Sequence, residues 1–122
     1  APAPISKRYF LVTEQSQKGA AQFDIAVFIN SKWIRELKSD DDQIVTEITK
    51  HLRPGPNKIV LAATKRTDAP RRSTAASTYY RVIIGEGNAG GDNIMIDNPL
   101  IEMKRTAAET GNVTEEFTIS AR

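Results

Sequence analysis

Short runs in which apolar and polar residues alternate recur along the chain, each bounded by turn-forming residues. This period of two predicts β-strands. The clearest run is 22–30, where Phe23, Ile25, Val27 and Ile29 fall on one face and Asp24, Ala26, Phe28 and Asn30 on the other. With Phe28 on the second face, the strand predicts a sheet packed on one side and partly covered on the other. Asn30-Ser31 reads as a tight turn, from which 32–37 returns as a hairpin partner. Further strands are expected over 7–13, 58–65, 78–84, 93–96, 100–104 and 114–121. Pro54-Gly55-Pro56-Asn57 and Asp97-Asn98-Pro99 read as turns, and 15–19, 65–77, 85–93 and 107–112 as loops.

One stretch carries two signals. Ile44, Ile48 and Leu52 recur at i, i+4 and i+8, a helical stripe preceded by aspartates that suit a helix N-terminus. Ile44-Val45-Thr46 and Ile48-Thr49 are β-branched and oppose it. A short strand or a single helical turn, ending at Arg53, is the expectation. The sum is an all-β chain: an antiparallel β-sandwich of about eight strands with little helix. The 122 residues suit a single domain over 1–122, long enough to bury a core without a metal or disulfide. Residues 1–5 are expected to form an extended tail, because Pro2 and Pro4 exclude helix there.

The strand ending Phe28-Ile29-Asn30-Ser31-Lys32-Trp33, followed by Ile48-Thr49-Lys50-His51-Leu52-Arg53-Pro54-Gly55-Pro56-Asn57-Lys58-Ile59-Val60, resembles the signature of galactose-binding-like jelly rolls. These include the sugar-binding modules of family 2 glycoside hydrolases. That signature is a strand, an Asn-Gly-Lys turn and then Ile-Thr-x-x-Leu-x-Pro-Gly-x-Asn-x-Ile; here Ser31 stands where the pattern has Gly. The resemblance spans 23–65 and implies a jelly-roll sandwich. It brings carbohydrate forward as ligand and a structural calcium as a companion.

Charge and composition exclude more than they identify. Lys+Arg outnumber Asp+Glu by 17 to 15, a net charge of +2, which does not by itself argue for nucleic acid. Without cysteine there is no disulfide, thiol nucleophile or cysteine-held zinc. No apolar run approaches the ~18 residues of a membrane-spanning helix. Ala1-Pro2-Ala3-Pro4 has the small-residue character left by signal-peptide cleavage, so an exported protein (periplasmic, secreted or at the cell surface) is expected.

Candidate chemistry follows from specific residues. Gly85-Glu86-Gly87-Asn88-Ala89-Gly90 matches G-x-G-x-x-G after a strand, but Gly91-Asp92-Asn93 and a β-like run follow, so no βαβ unit fits. A ligand-contacting loop is the better reading. Asp40-Asp41-Asp42, and Glu86, Asp92 and Asp97 with Asn88, Asn93 and Asn98, offer the oxygen ligands calcium requires; a solvated acidic turn is the plainer reading. The lone His51 has no cysteine to activate and suits a surface or edge position, so no enzyme is expected.

Sugar recognition requires an aromatic face for the ring and planar polar groups for its hydroxyls. Trp33, Arg35, Tyr79, Arg81, Asn88, Asp92 and Asn93 are the candidates, Asp40, Asp41 and Asp42 being the metal candidates. Tyr80 is considered beside Tyr79 because the two point to opposite faces. Lys65, Arg66, Arg71 and Arg72 form a basic stretch that offers a patch for an acidic glycan, a lipid headgroup or nucleic acid; the lack of interleaved aromatics disfavours stacked single-strand recognition, and a solvated loop is the plainer reading. Asn112-Val113-Thr114 fits the N-glycosylation pattern. The expected function is a non-catalytic carbohydrate-binding module using loops at one end of the sandwich. The alternative is a structural or adhesion subunit acting through strand edges or faces on a protein partner or a second copy.

Overall fold

A computed structural model describes residues 5–67, 70, 72–90 and 93–122, with Asn93 in its backbone only. Eight strands occur among these residues: β1 (Arg8–Gln15), β2 (Phe23–Ile29), β3 (Lys32–Leu37), β4 (Val45–Glu47), β5 (Gly55–Lys65), β6 (Tyr79–Gly90), β7 (Asn93–Thr106) and β8 (Val113–Ala121). They form two four-stranded antiparallel sheets, ordered β4-β1-β6-β7 and β3-β2-β5-β8. The expected all-β sandwich is therefore what forms.

Alternation does the sorting. Tyr9 and Leu11 on β1 and Tyr80, Val82 and Ile84 on β6 bury against Phe23, Ile25, Val27 and Ile29 on β2 and Ile59 and Leu61 on β5. The β2–β3 hairpin turns at Asn30 (φ 51°) and Ser31 (φ 70°), the two positive φ values of a two-residue primed turn. The mixed signal of 44–52 resolves into both outcomes: β4 is followed by a single 3₁₀ turn at Thr49–His51, and Ile48 and Leu52 enter the core.

The Pro-Gly-x-Asn segment has a structural explanation. The buried Asn57 side chain accepts from Arg53 N (3.0 Å) and donates to the Arg53 (2.8 Å) and Gly55 (2.9 Å) carbonyls, clamping the turn. It also accepts from Asn30 Nδ2 (2.9 Å), while Lys58 N donates to Asn30 Oδ1 (3.0 Å), which ties that turn to the Asn30–Ser31 hairpin.

Two sequence expectations need correction. The stretch 85–93, expected as a loop, lies in the β6–β7 hairpin wherever it is described, and β7 runs through the expected Asp97-Asn98-Pro99 turn. The register shifts between Ile84 and Gly85 and between Glu86 and Gly87, leaving Leu100 and Asp97 as unpaired extra residues on β7. These bulges absorb the turn-forming residues without ending the strand, and Pro99 is tolerated because β7 is an edge strand. A Cβ on Gly85 would lie 2.5 Å from the Asn98 carbonyl oxygen and 2.9 Å from Pro99 Cα. The G-x-G pattern thus marks close strand approach at bulges, not a helix opening onto a phosphate.

Candidate functional site

A cleft of about 610 Å³ opens along one side of the sandwich, where the edge strands β3 and β4 face each other. Leu11, Val27 and Ile48, all buried, form its apolar floor. Trp33, Ile34, Arg35, Glu36 and Lys38 come from β3 and its end, and Thr46, Glu47, Lys50 and His51 from β4 and the 3₁₀ turn.

The shape of this site comes from a bulge in β3. Arg35 pairs with Val27 but Trp33 pairs with Phe28, leaving Ile34 as the extra residue. Arg35 consequently shares the inward side with Val27 and Leu37, while Trp33 lies opposite the outward Phe28 and stays 58% exposed at the cleft. Arg35 Nε is buried and has no hydrogen-bond partner among the described residues. An orphaned buried donor costs about 1–3 kcal/mol; Arg105 Nε, away from the cleft, is in the same state.

Across the cleft, Glu47 accepts from Arg8 Nε (3.3 Å) and Nη2 (2.7 Å) and from the Thr49 hydroxyl (2.9 Å). The Arg8 and Thr49 hydrogen bonds hold its carboxyl below the ordinary range. Thr49 Oγ1 also accepts from Tyr9 N (2.9 Å), seating the 3₁₀ turn on β1. Burial, reinforced by the charges of Lys50 and Lys32, lowers the His51 pKa from 6.5, so the imidazole is neutral at pH 7.

Of the residues singled out from the sequence, Trp33 and Arg35 meet in this cleft. Tyr79 and Arg81 lie in the other sheet: Arg81 Nε donates to Glu14 (3.0 Å), and the Tyr79 ring has Lys104 Nζ at 4.8 Å and the Arg81 guanidinium at 5.9 Å. Tyr80 is core, its hydroxyl pushed up to about 12 by burial. Asn88 sits on the β6–β7 hairpin and bonds Asp97; Asn93 opens β7, and Asp92 lies outside the described residues.

At the acidic run, Asp40 pairs with Arg66 (2.6 Å) and Arg72 (3.7 Å), and Asp42 with Lys18 (2.7 Å). Among the described residues no group of three or more His, Asp or Glu side chains is placed to hold a metal ion. The basic stretch is likewise engaged internally: Lys65 Nζ donates to the Ala21 carbonyl (2.8 Å) beneath the sandwich surface, and Arg71 lies outside the described residues.

Glu36, Lys38, Glu47, Lys50 and His51 were not singled out from sequence as ligand contacts. A signal existed for part of this set, since the inward Ile48 and Leu52 bracket Lys50 and His51 on a turn. Which edge that turn faces is a matter of strand order alone. Outside the cleft, a second concavity of about 580 Å³ on the first sheet is lined by Val12, Val45, Ile83, Ile94, Ile96 and Pro99 together with Glu14 and Gln43. Among the described residues no helix is long and apolar enough to cross a membrane. Compared with family models, curated proteins and solved structures, the chain matches none.

Proposed function

We propose that the chain is a non-catalytic carbohydrate-binding module of an exported protein, with its site in the cleft between β3 and β4. One juxtaposition carries the reading: an exposed indole, Trp33, and a guanidinium without an ion pair among the described residues, Arg35, line one apolar-floored cleft. An aromatic face suits the C–H side of a pyranose, and planar polar groups suit its oxygens. The volume fits one or two sugar units, within the roughly 300–1,000 Å³ usual for small-ligand sites.

A glycan array of the folded chain, with calcium and with chelator, tests this. Trp33→Ala is expected to abolish binding while leaving stability within about 0.5 kcal/mol, because a largely exposed side chain contributes little to the core. Binding that survives in the folded variant removes Trp33 from the site.

A second reading is favoured by the concavity on the first sheet, whose lining includes the exposed Val45. It is a structural subunit whose sheet face meets another protein or a second copy. A blank array with concentration-dependent assembly in light scattering would select it.

A further inference from the structure

The charges around the β3–β4 cleft do not balance. Glu47 is taken up by Arg8 and Thr49. Arg35, Lys38 and Lys50 line the cleft and form no ion pair among the described residues, and Glu36 is the one lining carboxylate left without a cation. Three cations thus face one uncompensated anion.

We propose that the cleft takes an acidic sugar, a hexuronate unit whose carboxylate accepts from Arg35 while its ring lies against Trp33. This rests on the carbohydrate reading above and narrows it. A guanidinium offers two parallel N–H groups in the plane a carboxylate presents, and Arg35 lines the cleft with no ion pair among the described residues. A neutral sugar would leave the cations' charge unanswered; a carboxylate answers it. Lys38 and Lys50 then act on the neighbouring acidic units of a chain through a screened field. The single exposed aromatic at the cleft does not supply the successive stacking platforms of a single-stranded nucleic acid site.

The test is calorimetric titration of the full chain at about 0.1 M salt with oligogalacturonate and oligoglucuronate, and with the same oligomers after reduction of their carboxyls to alcohols. Sulfated oligosaccharide and polyglutamate serve as controls. The uronates are expected to bind at least about tenfold more tightly than their reduced forms, the value of one charge-assisted hydrogen bond. Arg35→Gln should erase that preference. Lys50→Gln, at an exposed position, should weaken uronate binding a few-fold and steepen no other property; it keeps the test valid if Arg35→Gln does not fold.

Equal affinity for the acidic and reduced oligomers would overturn the inference and leave the carbohydrate reading standing. Tighter binding of the sulfated sugar would overturn the choice of a carboxylate, and equal binding of polyglutamate would reduce the site to unspecific charge. Neutral glycans bound with the uronates ignored would also overturn it. No sugar of any kind bound by folded protein would fail the carbohydrate reading itself.

Discussion

Glu86→Gln removes one charge from a buried network at the end of the core, and its cost can be worked from the structure. Glu86 continues the inward series Tyr80, Val82, Ile84, so its carboxylate is buried. It accepts from Arg122 Nε (2.9 Å) and Nη2 (3.1 Å), from Asn98 Nδ2 (3.1 Å) and from the Tyr9 hydroxyl (3.2 Å), which itself accepts from Arg122 N (2.9 Å). Chiefly through Arg122, and then Asn98, these bonds bring its pKa from 4.5 down to about 2.

By linkage such a carboxylate stabilises the fold at neutral pH by at most roughly 3 kcal/mol. The Arg122 side chain is 68% exposed, so solvent screening reduces this to about 2 kcal/mol. For a chain of this length, at about 2.1 cal/mol/K of unfolding entropy per residue, the Gln variant should melt roughly 8 °C lower. The sign is set by the depressed pKa. The stabilisation is fully present above the unfolded value near 4.5 and is lost as pH falls toward about 2. Thermal melts of both proteins at pH 7, 4.5, 3 and 2 should therefore show a gap that is constant down to about 4.5 and closes below it. A gap that persists at pH 2, or that is absent at pH 7, would refute the reasoning.

Three further substitutions probe the backbone devices. Asn57→Ala removes a side chain that satisfies three backbone groups and the Asn30 amide, and should cost about 2–4 kcal/mol in urea unfolding; a loss under 1 kcal/mol would mean that water replaces the clamp. Ser31→Gly relieves a positive φ of 70° and should stabilise by about 0.5–1 kcal/mol, with no gain expected if Ser31 is unstrained. Gly85→Ala places a methyl group against the backbone of Asn98 and Pro99, atoms that cannot swing aside, and should destabilise by about 2–4 kcal/mol; an unchanged melting temperature would show that the bulge can shift.

What the sequence determined by itself was everything that depends on neighbours along the chain. The alternation in 22–30 sorted the faces of β2 because successive side chains in a strand must point to opposite sides. Asn30-Ser31 and Pro54-Gly55 announced their turns through residues that tolerate or enforce the required dihedrals. The mixed pattern of 44–52 was legible as a conflict, and the structure honours both halves of it with β4 and one 3₁₀ turn.

The β6–β7 hairpin misled for a physical reason. Glycine, asparagine and proline usually break strands, yet here paired bulges on an edge strand accommodate them, a compensation that depends on the partner strand. The candidate site was split in the same way. Trp33 and Arg35 are two residues apart and stood out as side chains suited to a sugar. Their meeting with Glu47, Lys50 and His51 depends on β3 and β4 becoming facing edges of different sheets. Strand order is set by which apolar faces bury together across the sandwich, a long-range choice that no local pattern encodes. For that reason the cleft, its unanswered guanidinium and its surplus of positive charge belong to the tertiary structure alone.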